Sequence, residues 1–213
     1  MAHSPFVHVI TSSIMLGLFG VVGAGIVAGV HELTAERVLE NERLARLKVL
    51  NEVLPADRYD NSILEDTVVL RDPALAGGRY PVTVYRARRG GAPVAAVFET
   101  VAPDGYSGAI HLLIGIDTDG RVTGARVLKH AETPGLGDPI EQNHSDWIHR
   151  FTGKSLHAPG LPRWAVKRDG GDFDQFTGAT ISPRAVVKAI RQTLVYFDAH
   201  QVTLLTPEAP PNE

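Results

Sequence analysis

The sequence predicts an α+β protein with a single N-terminal transmembrane helix, a helical stalk, and one domain of antiparallel strands with flanking helices. Three observations indicate this class. An uncharged, apolar run occupies residues 6–30, and a helical repeat of leucines continues to about Pro55. After Pro55 the apolar pattern changes to short segments separated by turn residues, and a helical pattern returns near the C-terminus.

Residues 6–30 contain no Asp, Glu, Lys or Arg. A helix of about 20 such residues crosses the hydrocarbon core of a bilayer. A cleaved signal peptide is the alternative, but the run is longer than a typical signal h-region and no Lys or Arg precedes it. The sequence therefore favours an anchor that stays in contact with membrane lipid. Gly25 and Gly29 could let a helix of a partner subunit approach closely, although glycine is common in membrane helices generally.

Residues 31–55 carry leucines at helical spacing with charges between them, which predicts a stalk or, alternatively, a partner-binding helix. Residues 56–200 are predicted to form the folded domain. Residues 201–213, which include three prolines, are predicted to be a disordered tail.

The domain begins with a predicted meander of strands. Its two clearest hairpin turns are Gly90-Gly91 and the segment 118–120. Helices are predicted near 140–151 and over 183–199, the second capped by Ser182. The five predicted strands are Thr67–Leu70, Tyr80–Arg88, Val94–Val101, Ala109–Asp117 and Arg121–Lys129.

Composition excludes several kinds of site. The net charge of −3 provides no basic footprint for nucleic acid. The chain has no cysteine, which excludes disulfides, thiol nucleophiles and cysteine-ligated iron–sulfur clusters. The nine histidines lack the spacing of a metal-binding motif, so we predict no metal site.

Two loops are candidates for a ligand site. Thr177 and Thr180 lie just before the C-terminal helix, where free N–H groups and the helix dipole favour an anion such as phosphate. The small residues Gly178 and Ala179 leave room for it. Residues 132–137 (Glu-Thr-Pro-Gly-Leu-Gly) form a rigid turn that could present backbone groups and a leucine to a flat ring. The alternative for residues 177–180 is an ordinary capped turn into a helix, and the alternative for residues 132–137 is a tight connection to the next helix.

These residues resemble a known family. Asp174–Thr180 (Asp-Gln-Phe-Thr-Gly-Ala-Thr) resembles the flavinylation motif of FMN-binding domains in Rnf-type (Rsx-type) electron-transport complexes and in sodium-translocating NADH:quinone oxidoreductase. Residues 132–137 are similar to a second signature of these domains, and Gly105-Tyr106-Ser107-Gly108 to a third element. The motif wording and the chain length resemble the G subunit family of the Rnf-type complex most.

The resemblance implies one FMN per chain, bound covalently by a phosphoester to Thr180 and attached by a separate flavin transferase that uses FAD. It implies that Gly178 and Ala179 provide clearance, and that Asp174 and Thr177 are read by the transferase or support the phosphate. It also implies that a loop lies against the isoalloxazine ring. That loop consists of Glu132, Thr133, Pro134, Gly135, Leu136 and Gly137.

The implied function is electron relay, not independent catalysis, within a complex that couples electron transfer between ferredoxin and NAD to ion transport. The partners would be the other Rnf subunits. The implied location is the bacterial inner membrane, with the flavin domain on the periplasmic side, although a count of Lys and Arg near the span leans slightly to the cytoplasm.

Three other functions remain open at this stage. They are the C subunit of the sodium-translocating enzyme, a membrane-anchored assembly or binding protein with a vacant flavin fold, and a free-standing flavin reductase. The residues also leave open whether Lys129, His130 or Lys167 places a cation beside the ring, or whether all three are solvated surface groups.

Overall fold

A computed structural model describes residues 5–206, and its side chains from residue 9 onward. The chain divides into two compact units, Met1–Leu47 and Lys48–Glu213. Residues 207–213 of the predicted tail lie outside the described part of the chain.

The described residues of the first unit belong to helix α1, which runs without interruption over Pro5–Val53. Its apolar part has a window of mean hydropathy 2.2, and the large apolar side chains from Val9 to Val30 are exposed. By length and composition, α1 is the one helix in the described residues that could cross a membrane. The division of α1 into a span at 6–30 and a stalk at 31–55 remains a prediction, since the helix has no break there.

The second unit contains a five-stranded antiparallel sheet, which confirms the α+β class. The strands pair in the order in which they occur along the chain, as an uninterrupted meander. Gly90 and Gly91 have φ values of 56° and 80°, so the tight β2–β3 hairpin uses a conformation that glycine favours. The strands are β1 Thr67–Leu70, β2 Val82–Arg89, β3 Ala92–Ala102, β4 Ile110–Asp117 and β5 Val122–Lys129.

Both faces of the sheet are covered. Helix α2, Ile181–Leu205, packs on one face, where the rings of Phe98 and Phe197 meet edge to face with centroids 6.2 Å apart. On the other face, Val53 at the end of α1 is fully buried. Thr123 Oγ1 donates a 2.6 Å hydrogen bond to the Val53 carbonyl. Burial of the central strands on both sides explains why they contain few polar residues.

A pair of glycines lets the end of α1 approach the sheet. Gly115 of β4 and Gly124 of β5 are cross-strand partners. A Cβ atom at Gly124 would lie 2.8 Å from the Val53 Cα, and one at Gly115 would lie 3.0 Å from the Val53 carbonyl oxygen. Side chains at these two positions would therefore displace the helix end.

The C-terminal end of α2 is held by two buried arginines of β2. Arg86 and Arg88 direct their Nε atoms to the two oxygens of Asp66, at 2.5 and 2.6 Å. The same guanidinium groups donate to the carbonyls of Thr206 and Leu205, both at 3.0 Å. Cations at this point donate hydrogen bonds to the free carbonyls at the helix end and interact favourably with the negative end of the helix dipole.

Three local predictions were wrong. Residues near 140–151 form two short 3-10 helices, Asp138–Ile140 and Asp146–Phe151, because the Ser145 side chain caps the second segment and so separates it from the first. Helix α2 begins at Ile181, before the predicted cap at Ser182. The helix also continues to Leu205, so residues 201–205 belong to it and not to a tail; Leu204 and Leu205 are buried.

Candidate functional site

The predicted ligand loops lie at one end of the sheet. In an antiparallel meander, the β3–β4 connection and the exit from β5 are at the same end. The first of these carries residues 105–108, and the second leads into residues 132–137. The N-terminus of α2 joins them, because Ser182 Oγ lies 2.5 Å from a carboxylate oxygen of Glu132.

These three segments surround a cavity of about 350 Å³, which is within the range of small-molecule sites. Its wall contains residues from each of the motifs identified in the sequence. The lining residues are Tyr106, Glu132, Thr133, Leu136, Gly137, Gly178, Ala179, Thr180, Ile181 and Ser182.

Thr180 occupies the N-cap position of α2, with φ −90° and ψ −27°. Within the described residues its side chain makes no capping hydrogen bond. The side-chain oxygen of a threonine at this position commonly accepts a hydrogen bond from a backbone N–H group of the helix. Here the hydroxyl of a cavity-lining residue remains available for chemistry, at the end of the helix where the dipole favours an anion.

Glu132 connects the three segments. It is 4% exposed. One carboxylate oxygen accepts the hydroxyl hydrogen of Ser182, and the other accepts the backbone N–H of Ser107 at 3.2 Å. Its own backbone N–H donates to His130 Nδ1 at 2.9 Å. Glu132 thus lies in the cavity wall as a junction between segments that are far apart in sequence.

The rim of the cavity is apolar and open. Tyr106, Leu136 and Ile181 are 69%, 47% and 44% exposed, so three large apolar side chains face solvent at one site. Gly178 has φ 82°, and a Cβ atom there would lie 3.5 Å from Leu136 Cδ2. The two motif loops therefore meet at this point. A flat aromatic ligand would cover this apolar surface and remove it from water.

Four of the predicted site residues lie apart from the cavity lining. Pro134 and Gly135 form the exposed tip of their turn, and Thr177 is exposed. Asp174 instead forms ion pairs with Arg150 and with Lys167, the latter at 2.5 Å. Its carbonyl accepts the Trp147 indole N–H at 2.8 Å, so Asp174 fastens the start of its motif to the domain.

An ion pair between Arg184 and Asp169 holds the first turn of α2. Arg184 donates two hydrogen bonds to Asp169, at 2.6 and 2.8 Å. These hydrogen bonds and the positive charges of Arg184 and Arg168 lower the pKa of the Asp169 carboxyl. The pairing offsets the unfavourable position of a cation in the first turn of a helix.

None of the three candidate cations lines the cavity among the described residues. Lys167 is paired with Asp174, and His130 Nε2 lies 2.7 Å from Glu141 Oε1. Because His130 Nδ1 accepts a backbone hydrogen, the Nε2 atom carries the ring hydrogen toward Glu141. The acidic side chain that the structure places in the wall is that of Glu132.

The sequence missed three lining residues. Tyr106 belongs to the third element of the resemblance but was not predicted as a site residue, and Ser182 was predicted only as a helix cap. Ile181 lies between two motif positions and carried no signal of its own. The position of Tyr106 inside the third motif element is the sequence signal that could have identified it.

Comparison with known proteins follows the same division of the chain. Residues 105–195 match the FMN-binding domain family, and residues 1–53 match the RnfG N-terminal region. The chain is 50% identical to the G subunit of the ion-translocating oxidoreductase complex of Pseudomonas aeruginosa (strain UCBPP-PA14) over 197 residues, which cover 92% of each protein. The chain belongs to this G subunit family. The G subunits of Shewanella loihica and Escherichia coli K12 are 45% and 48% identical, over 94% and 86% of this chain and 95% and 88% of those relatives.

These matches confirm the resemblance to the Rnf-type G subunit and the prediction of an FMN-binding domain. The residues of the cavity fit such a ligand: an open apolar rim for a planar ring, and a helix N-terminus with an uncapped hydroxyl for a phosphate. In the described part of the chain, no group of three or more His, Asp or Glu residues could hold a metal ion.

Proposed function

We propose that this member of the G subunit family is an electron-carrying flavoprotein of an ion-translocating oxidoreductase complex, with one FMN attached covalently to Thr180. The observation that carries the proposal is the position of Thr180. It is a cavity-lining residue at the start of α2 with a hydroxyl that caps nothing in the described residues. FMN supplies a ring that accepts and donates electrons.

The attachment reaction is a transfer from FAD, performed by a flavin transferase. The Thr180 hydroxyl oxygen forms a bond to the phosphorus on the FMN side of FAD. The bond between the two phosphates breaks, AMP leaves, and the hydroxyl proton is released. The product is an anionic phosphodiester at the N-terminus of α2, where the helix dipole and free N–H groups stabilise negative charge.

Different parts of the cavity then have different roles. Gly178 and Ala179 leave space beside the phosphate. The 132–137 loop would hold the ring, with Leu136 offering it an apolar side chain, while Pro134 and Gly135 shape the turn from outside the lining. Asp174 and Thr177 present the motif to the transferase, Asp174 through its ion pairs with Arg150 and Lys167.

The partners follow from the family and from α1. Other subunits of the complex deliver and receive the electrons, and α1 anchors the chain in lipid. We place the anchor in the bacterial inner membrane, with the flavin domain on the periplasmic side. Covalent attachment suits that side, because a dissociated cofactor would be lost there and a fixed cofactor keeps its distance to the next carrier constant.

The competing functions have less support. The relatives at 42–50% identity over most of the chain are named as G subunits of an ion-translocating oxidoreductase complex and not as parts of a quinone-reducing enzyme. A vacant assembly protein would have no use for an uncapped threonine at a phosphate-type helix end. A free-standing reductase would turn over a soluble electron donor without partner subunits.

The decisive experiment is co-expression of the full chain with an active flavin transferase, followed by a denaturing gel viewed under ultraviolet light. We expect a fluorescent band at the mass of the chain. Thr180→Val removes one hydroxyl at nearly constant volume, so it should give a dark band with an unchanged melting temperature.

Thr203→Val is the matched control, because it makes the same substitution at an exposed position at the other end of α2. This control should remain fluorescent. Fluorescence retained in Thr180→Val would refute the attachment site. A dark wild-type band, with the transferase active on another substrate, would refute covalent attachment altogether.

A further inference from the structure

The cavity wall contains a buried carboxylate whose role is not explained by contact with a phosphate. Glu132 is 4% exposed and belongs to the lining. A buried carboxylate beside an anionic cofactor is unfavourable by simple Coulomb repulsion. Its presence at this place therefore has to bring a compensating benefit.

The hydrogen bonds of Glu132 fit an ionised carboxylate. The Ser107 backbone N–H can only donate, and it is directed to Oε1 at 3.2 Å. The Ser182 hydroxyl lies 2.5 Å from Oε2, a short distance typical of a hydroxyl that donates to a charged oxygen. Both oxygens therefore act as acceptors, and the negative charge lies inside the wall.

The surrounding backbone is shaped to this side chain. A Cβ atom at Gly137 would lie 2.9 Å from Glu132 Oε2, and one at Gly105 would lie 2.7 Å from Oε1. Neither glycine needs a positive φ, since only space is at issue. A Cβ atom at Gly105 would come still closer to the Gly108 carbonyl oxygen, and one at Gly137 would lie 2.8 Å from Ser182 Oγ. The two motif glycines thus leave room for the carboxylate and for these two neighbours.

We propose that Glu132 is a positioning residue that also holds a fixed negative charge next to the flavin and so lowers its reduction potential. The inference rests on the proposed FMN site. Two-electron reduction of a flavin near neutral pH takes up two electrons and one proton and leaves the ring anionic. A neighbouring carboxylate opposes that added charge and makes the reduced cofactor a stronger electron donor.

The effect is large enough to measure. A cavity of about 350 Å³ is about 7 Å across, so the carboxylate is within about 10 Å of a ring in it. At an effective dielectric constant of about 20, a unit charge about 10 Å away changes an equilibrium about tenfold. Solvent screening is weak, because the carboxylate is buried.

Glu132→Gln tests the charge while keeping the shape. The amide oxygen can accept from Ser107 N–H, and the amide N–H can donate to the Ser182 oxygen. In the flavinylated full chain, we expect spectroelectrochemical titration to show a reduced-to-oxidised ratio about tenfold higher than wild type at the same solution potential. Asp104→Asn is the control. The Asp104 side chain is next to Gly105 in sequence, is 54% exposed and is paired with Lys188, so its neutralisation should change the ratio less than twofold.

Ser182→Ala provides an independent variant in case Glu132→Gln does not fold. It removes a donor from the carboxylate and leaves the charge less neutralised, so the ratio should fall below that of wild type. An unchanged ratio in fluorescent, folded Glu132→Gln, or an unchanged or raised ratio in Ser182→Ala, would overturn the inference. Both results leave the proposed function intact, because the gel fluorescence of the wild type tests that separately.

Discussion

Asp66 is the residue whose removal should most clearly damage the domain without touching the flavin site. Its two oxygens are the charged partners of Arg86 and Arg88, whose side chains are only 10% and 9% exposed. Asp66→Asn keeps the size of the side chain but neutralises it. The new amide group also directs N–H hydrogens toward a guanidinium, which has donors only.

The cost can be estimated from the structure. Breaking a buried ion pair by removing one partner costs about 3–5 kcal/mol. Asp66 is 22% exposed, and both arginines retain their hydrogen bonds to the carbonyls at the end of α2, so the lower end applies. We expect a loss of about 3 kcal/mol in the free energy of unfolding, which corresponds to a fall in Tm of about 6–12 °C for a domain of this size.

Tryptophan fluorescence of the full chain in detergent micelles provides the assay. The chain has two tryptophans, and both Trp147 and Trp164 are buried in the domain, so the signal reports domain unfolding and not the membrane helix. Asp57→Asn, at an exposed position, is the control and should change Tm by less than about 2 °C. An Asp66→Asn protein that melts within about 2 °C of wild type would show that the arginines do not depend on this carboxylate.

Two further predictions concern pH and orientation. Burial raises the pKa of the Tyr196 phenol, and the Asp72 carboxylate adds to the effect; the unfolded chain then loses this proton above pH about 10 while the folded chain keeps it. The stability that the protonated phenol contributes is therefore fully present below pH about 10 and is lost as pH rises through the folded-state pKa. Denaturant titrations should show that Tyr196→Phe loses less free energy of unfolding than wild type between pH 9 and 11. The same loss in both proteins would contradict this. For orientation, Asp119→Cys introduces a single thiol at an exposed turn of a cysteine-free chain; a membrane-impermeant maleimide should label it once the outer membrane is permeabilised, and labelling that requires rupture of the inner membrane would place the domain in the cytoplasm.

The strands were predictable because local signals agree with tertiary structure. Glycine turns such as Gly90-Gly91 mark where the chain reverses, and short apolar segments between such turns are typical of buried strands. All five strands were found within about two residues at each end, which is the usual uncertainty of element boundaries.

The errors arose where a distant residue outweighs a local preference. Ser182 was expected to cap α2, but its hydroxyl donates to Glu132 in another loop. The end of α2 was placed too early because the arginines that hold its carbonyls belong to β2. Neither contact leaves a trace in the local sequence, since both depend on how the sheet and the helix pack.

The candidate site shows the same limit. Motif similarity identified the loops, but it could not say which residues face the cavity and which shape its loops from outside. Thr177 and Pro134 share the motifs with Thr180 and Leu136, and yet only the second pair lines the cavity. Side-chain direction in an irregular loop is set by the fixed points around it, such as the Asp174 ion pairs.

The meander gives the domain two ends with separate tasks. The cavity occupies one end, while the β2–β3 and β4–β5 hairpins and the Arg86–Asp66 cluster lie at the other, where Gln201 of α2 donates to the Thr118 carbonyl. Residues at the tips of both hairpins are exposed, so tags or short insertions placed there should leave the cavity in place. The chemistry at the opposite end would pass unaltered through such changes, which makes the hairpin turns the natural place to attach probes to a working complex.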